Sequence, residues 1–352
     1  MSENLTFLKV FLQDFYADFF LENQLRANLS KQVGLCFYLT MRFPFEISEN
    51  KEFDAVGFGT NAVDYLIVVP EYPAFNSKIE LADYQQLAGG EIASTLVGLR
   101  RLQMKTAYIG RFGTDSAGDF GLKTLRDEGV DVSCAEQIEG ATTQIAFILI
   151  DERTGERTVI WKRDAKLGYT PAEVPVELAK KTKVFHATTH DALACARLAR
   201  IAKTSGAIIS IDIDNIFDGV SEMIPLVDVF ISSSEFPEKL VGIRDERAAL
   251  REIKSRFGCP VVGMTLGETG SLVLCEDVFI ETRGFEVPNG CKDTTGAGDA
   301  FRVGLIYGLL KGESVEESLR LANAVAALKC RAIGARTALP KQEELFDLIS
   351  RV

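Results

Sequence analysis

The chain has 352 residues, 47% of them apolar and 25% charged, the balance of an ordinary globular protein with room for one large α/β domain or two smaller ones. A net charge of −11 argues against a nucleic-acid binder, which needs a basic face for phosphates. It leaves a nucleotide substrate open, because a local group of backbone amides binds phosphate on an acidic protein. Seven scattered cysteines without a C-x-x-C pair, and only two histidines, argue against a zinc site and for reduced thiols. With no run long enough to span a bilayer and no basic leader, the expected location is cytoplasmic.

Along the chain, 5-LTFLKVFLQDFYADFFLENQL-25 places Leu8, Leu12, Phe15 and Phe19 at helical spacing, so residues 1–52 read as an N-terminal extension built on an amphipathic helix. Its polar face is acidic, which disfavours a membrane surface, and Met41 offers an alternative start. From Asp54 onward short apolar strands alternate with amphipathic helices. Strands are expected at 54–59, 106–110, 183–187, 207–213, 228–232, 261–266 and 271–276, with helices over 92–103, 116–129 and 191–206. The pattern predicts a mostly parallel sheet with helices on both faces, where ligands sit beyond the carboxyl ends of the strands. Two segments break the alternation. Residues 77–87 show period-2 spacing, and 143–163 read as two strands joined at Glu152-Arg153-Thr154-Gly155, so both are expected as antiparallel strands outside the main sheet.

The segment 290-GCKDTTGAGDAF-301 carries the chemistry. Small residues followed by the apolar helical run from Ala300 to Leu310 leave several amides unpaired at a helix start, with the positive end of its dipole behind them. Asp299 would repel an anion that is only bound. It makes sense as a base that takes a proton from a hydroxyl while the amides neutralise the phosphoryl group under attack; the plainer reading is an N-cap. A second copy of the theme, 115-DSAGDF-120, lacks the Thr-Thr-Gly lead-in and precedes a charged helix, and reads as a structural loop.

Asp293-Thr-Thr-Gly-Ala-Gly-Asp-Ala-Phe301 resembles the C-terminal signature of the ribokinase-like (PfkB-type) carbohydrate kinase family, and further resemblances extend over residues 53–345. The stretch 57-GFGTNAVD-64 resembles the family's first strand and its sugar-binding Asp, here Asp64. Gly89-Gly90 resembles the switch between lid and main domain. The segment 110–131 resembles the next loop and helix, 265-TLGETG-270 the nucleotide-side loop, and 322-ANAVAALKCRAIGA-335 the helix over the adenine. The resemblance implies a three-layer α/β/α sandwich, mostly parallel in its central sheet, with lid segments near 65–88 and 141–166. It implies a kinase that uses ATP and Mg2+, with K+ as a further ion. By the resemblance Asp299 is the base, with Gly296, Ala297 and Gly298 holding the transferring phosphate. Asn61, Asp64, Gly89, Gly90, Ser94 and Arg163 line the acceptor, and Thr265, Gly267, Gly270 and Asn323 lie along ATP. Asp293 and Thr295, with carbonyls near Gly334, form the monovalent-cation loop.

Ser94 stands where the family usually has Asn. The family's Asn-x-x-Glu motif falls at 234-SEFP-237, leaving Glu235 or Glu238 as substitutes toward Mg2+, and Arg302 replaces a residue more often small. The expected activity is phosphorylation of a hydroxyl on a small sugar or sugar acid, and the resemblance implies a homodimer joined through the lid. The alternatives are a nucleoside kinase of the same fold and a non-catalytic sugar- or nucleotide-binding regulator.

Overall fold

The computed structural model describes residues 41–351; the amphipathic stretch expected within 1–52 lies outside the described residues as far as residue 40. The elements below belong to one unit that begins at Phe43. Its main sheet has nine strands in the order β13-β12-β11-β10-β9-β8-β1-β4-β5. These are β1 (Phe53–Phe58), β4 (Thr106–Gly113), β5 (Asp131–Ile138), β8 (Thr182–Thr188), β9 (Ile208–Ile213), β10 (Val229–Ser233), β11 (Val261–Thr265), β12 (Gly270–Cys275) and β13 (Val278–Arg283). Pairing is parallel from β5 to β11, and β12 and β13 continue antiparallel as a hairpin.

The near-continuous apolar strands are buried on both faces, as parallel strands must be when helices cover them. Phe185, Ile209, Phe230 and Val262 form one large core with the apolar sides of α4 (Ala192–Thr204) and α7 (Glu246–Phe257). On central β1, Gly57 lets α1 (Glu91–Arg101) lie directly on the backbone: a Cβ there would come within 2.4 Å of Ile92. In turn α1 meets α8 (Ala297–Leu310), where a Cβ on Gly98 would press into Val303 at 2.5 Å. Gly304 and Gly308 likewise bring α8 close to α9 (Val315–Lys329).

The irregular segments form a second, four-stranded sheet in the order β3-β2-β6-β7, from β2 (Ala62–Val69), β3 (Asp83–Gly89), β6 (Ile145–Asp151) and β7 (Arg157–Lys162). Its inner face packs Leu66, Val68, Ala146, Ile148 and Ile150 together. On its outer side Tyr65 stacks between Tyr84 and Phe147, and Phe147 and Ile160 are exposed. The strand expected at 54–59 is β1, and after it Gly59 to Asn61 turn the chain out of the main sheet and into β2. The helix expected over 322–335 also ends early, at Lys329, and Gly334 follows in a left-handed conformation (φ 94°) with its N–H held by the Asp293 carboxylate at 2.8 Å.

Candidate active site

A cleft of about 470 Å³ lies beyond the carboxyl ends of the main strands and is roofed by the small sheet. Thr60 follows β1, His190 follows β8, Asp212 and Asp214 mark the end of β9, and Ser233 and Thr265 end β10 and β11; all line it. Ala62, Asp64, Ala146, Ile148, Arg157, Val159 and Trp161 descend from the small sheet, and Thr295, Gly296, Gly298 and Asp299 come from the start of α8.

The start of α8 is open. Its N-cap, Gly296, takes φ 76°, which a side chain would resist, and no side chain caps the helix. The Ala297 amide is spent on the Thr294 carbonyl at 3.1 Å, and the first helical bond runs from the Ala300 amide to Gly296 at 2.9 Å. Gly298 and Asp299 thus offer the amides without a helical acceptor, at the positive end of the dipole. The related sequence at α2 (Ser116–Asp127) is closed: Asp115 is its N-cap and accepts the Gly118 amide at 2.9 Å and the Thr143 hydroxyl at 2.6 Å. Asp299 is in the first turn of α8 and not at its N-cap, so the capping reading does not hold for it.

The cleft is rich in carboxylates. Burial, followed by the charge of Glu91, pushes the proton affinity of Asp299 up toward neutrality. Burial likewise raises Asp212, despite its ion pair with Arg302 at 2.7 Å, and raises Glu91, which accepts the Thr60 hydroxyl at 2.7 Å. Asp64, buried beside Gly89, is raised to about 6, chiefly by burial. Arg302 is neither solvated nor free: it is buried, donating to the Ile231 carbonyl at 2.8 Å and to Asp212.

Gly89 and Gly90 are required by close approach. A Cβ on Gly89 would fall 1.8 Å from the Asp64 Oδ2, and Gly90 (φ 87°) passes within 2.4 Å of the Asn61 Cα at its own Cβ position. Buried Asn61 donates to the Tyr108 hydroxyl and to the Arg111 carbonyl at 3.1 Å, leaving its Oδ1 without a partner among the described residues. Ser94 accepts from Arg336 at 3.2 Å, and the same guanidinium donates to the Gly89 carbonyl, so a buried arginine supports the start of α1 and the end of β3 from behind. Arg163 is held by Asp191 at 2.8 Å and faces a small side pocket beside the main cleft.

Thr265 borders the cleft, and Gly267 and Gly270 shape the turn between β11 and β12. Asn323 is buried behind that hairpin, where it donates to Thr282 at 2.9 Å and Ser271 at 3.3 Å and ties α9 to β12 and β13. Glu235 stands apart from the cleft: its exposed side chain meets Lys239 at 3.3 Å. Asp293 is fully buried and accepts the Thr295 amide at 2.8 Å in addition to that of Gly334. The equally buried Lys329 donates to its carbonyl at 2.7 Å.

Sequence reasoning missed Glu91, Asp212, Asp214 and the aromatic group of Trp161, His190 and Phe217, whose rings lie 4.5 to 5.7 Å apart along one side of the cleft. One signal was available: Asp212 is the only charge within the apolar run 207-AIISIDI-213, and a lone carboxylate in such a strand marks either a strand end or a site.

A family model described as pfkB family carbohydrate kinase matches residues 55–342. The chain belongs to this family. Among pfkB relatives it is similar to a nucleoside kinase from Methanothermobacter thermautotrophicus, 26% identical over 85% of this chain and 95% of the relative. It is also similar to an uncharacterized sugar kinase from Archaeoglobus fulgidus, 31% identical over 70% of this chain and 99% of the relative. The fold matches that of Arabidopsis thaliana ribokinase solved with ribose and ATP, with a TM-score of 0.74 at 21% identity over 84% of this chain and 98% of that one. This is the ribokinase fold, and the protein is a kinase of the sugar or nucleoside class.

Proposed function

We propose that the protein transfers the terminal phosphoryl group of ATP to a hydroxyl of a small carbohydrate held beside Asp64, with Asp299 as the base. The observation that carries this reading is one helix start that combines an uncapped N-terminus with a carboxylate of raised proton affinity. The amides of Gly298 and Asp299, with Gly296 clearing the approach, face charge that grows on the phosphoryl oxygens. The Ala297 amide, engaged by Thr294, takes no part. A base works best with a proton affinity near the operating pH, and the Glu91 charge helps bring Asp299 there.

Phosphoryl transfer needs positioning, charge neutralisation and exclusion of water. The small sheet is the lid that supplies the last: Arg157 at the start of β7 donates to Thr294 at 2.8 Å, closing the sheet onto the loop before α8. Glu91 and Asp214, which both line the cleft, would hold a Mg2+ brought by the nucleotide, whereas Asp212 is engaged by Arg302. When bound, the ion neutralises charge on the phosphate oxygens. The apolar outer face of the lid, with Phe147 and Ile160, suits pairing of two copies.

A second reading has its own support. The wall of Trp161, His190 and Phe217 is suited to a planar heterocycle, which a nucleoside acceptor brings and a free sugar does not. A panel of sugars, sugar acids and nucleosides, assayed for ADP release with ATP and Mg2+, separates the readings. Turnover with sugars or sugar acids is the expected result, turnover confined to nucleosides replaces the acceptor class, and ligand binding without any turnover leaves a regulator.

A further inference from the structure

The resemblance implies a monovalent cation between the loop at Asp293–Thr295 and the loop at Gly334. The residues present do not fit one. Both Asp293 carboxylate oxygens already accept amides, from Thr295 and from Gly334, each at 2.8 Å. Lys329 is 0% exposed; its ammonium lies 2.7 Å from the Asp293 carbonyl oxygen and 3.7 Å from Asp293 Oδ2. A free cation sharing those oxygens would lie against that ammonium, in a pocket closed to water. Two like charges there would repel with little screening.

We propose that the Lys329 ammonium is a built-in replacement for the monovalent cation, so that the phosphate-binding turn is organised by the chain itself and works without K+. Lys329 is the last residue of α9, and its side chain reaches from the negative end of that helix, where a cation is favoured. The Asp293 carboxylate it accompanies pins the two loops on either side of the α8 start: Thr295 immediately precedes Gly296, and a Cβ on Gly296 would lie 2.8 Å from Ala335. One buried ion pair therefore fixes the turn that presents the Gly298 and Asp299 amides. An ion bound from solution would make that geometry depend on its concentration, and a tethered one does not. Burial lowers the proton affinity of Lys329 and the Asp293 charge opposes this, as an ammonium kept for its charge requires.

The turnover arm of the test rests on the kinase reading; the binding and stability arms do not. The full-length protein is compared in K+ and in tetramethylammonium at equal ionic strength, following thermal midpoint, ADP affinity by calorimetry and turnover on whichever acceptor the panel identifies. The wild-type protein is expected to change less than about twofold in affinity and turnover, with the same midpoint in both salts. Lys329→Ala, which leaves room and an unpaired Asp293, is expected to gain midpoint and ADP affinity in K+ or ammonium over tetramethylammonium. K+ activation of the wild-type protein, or a K+-dependent wild-type midpoint, overturns the proposal, and so does a folded Lys329→Ala that ignores K+. If that variant does not fold, the wild-type comparison decides alone. Absence of turnover with every acceptor refutes the kinase reading and leaves the midpoint and affinity measurements to judge Lys329.

Discussion

Replacing Asp299 with Asn should cost activity and add stability, and the two effects share one cause. Asn keeps the shape of the side chain and removes both the base and the charge, so turnover should fall by roughly 10² to 10⁴, the usual share of a positioned base. The folded protein holds the Asp299 carboxyl at about 7 against an ordinary 3.8, through burial first and Glu91 second. Each tenfold change in proton affinity is worth about 1.4 kcal/mol. Because Asp299 shares its repulsion with Glu91 and Asp212 and is partly open to the cleft, only part of that difference belongs to it, on the order of 1–3 kcal/mol. The sign follows from the direction of the shift. A raised carboxyl is no burden while it is protonated in both states, below pH 4. The burden builds as pH rises from about 4 to about 7 and is complete above that. Asp299→Asn should therefore melt roughly 1–6 °C above wild type at pH 8, given about 1–2 °C per kcal/mol for a chain of this length, and at the wild-type temperature at pH 4. Steady-state kinetics and scanning fluorimetry at both pH values measure this. Retained turnover refutes the base; a variant that melts lower at pH 8 refutes the electrostatic argument.

Other substitutions probe the rest of the cleft. Gly89→Ala puts a methyl where Asp64 Oδ2 lies, so the acceptor KM should rise at least tenfold while ADP affinity holds; an unchanged KM would remove Asp64 from the acceptor pocket. Arg302→Met strips the partner from a nearly buried Asp212, with a loss of about 3–5 kcal/mol at pH 8 that shrinks at pH 5.5, where Asp212 takes up a proton instead. Equal losses at both pH values would mean the guanidinium acts through packing alone. Asn323→Ala should lower stability by about 1 kcal/mol by removing its bonds to Ser271 and Thr282, whose hydroxyls stay bonded to each other at 2.7 Å, and leave the ATP KM within twofold; a rise in that KM would return Asn323 to the nucleotide site.

The central strands were legible because parallel strands covered on both faces must be apolar throughout, as 207–213 and 261–266 are. Strands β5 and β13 were not, since each is an edge strand whose partly exposed residues break that pattern. β2 was hidden because its apolar residues continue those of β1, and only the turn at Gly59–Asn61 separates the two sheets. The site divided along a similar line. Asp299 and its glycines are contiguous and could be read from local backbone chemistry. Glu91, Asp212 and Trp161 reach the cleft from α1, β9 and β7, and nothing local in Glu91 distinguishes it from an ordinary acid in the first turn of a helix. Lys329 shows the same limit, because a lysine at a helix end usually faces water.

The chain contains two helix starts with the sequence Ala-Gly-Asp, and it finished only one of them. The Asp115 cap on α2 is worth about 1 kcal/mol, and the fold forgoes its equivalent at α8. Helix α8 is in this sense incomplete until an anion arrives, and the missing cap is supplied by the ligand. Its first turn should therefore exchange amide hydrogens faster than that of α2 in the free protein, and a bound phosphate should slow it at Gly298 and Asp299 before any other part of the helix responds.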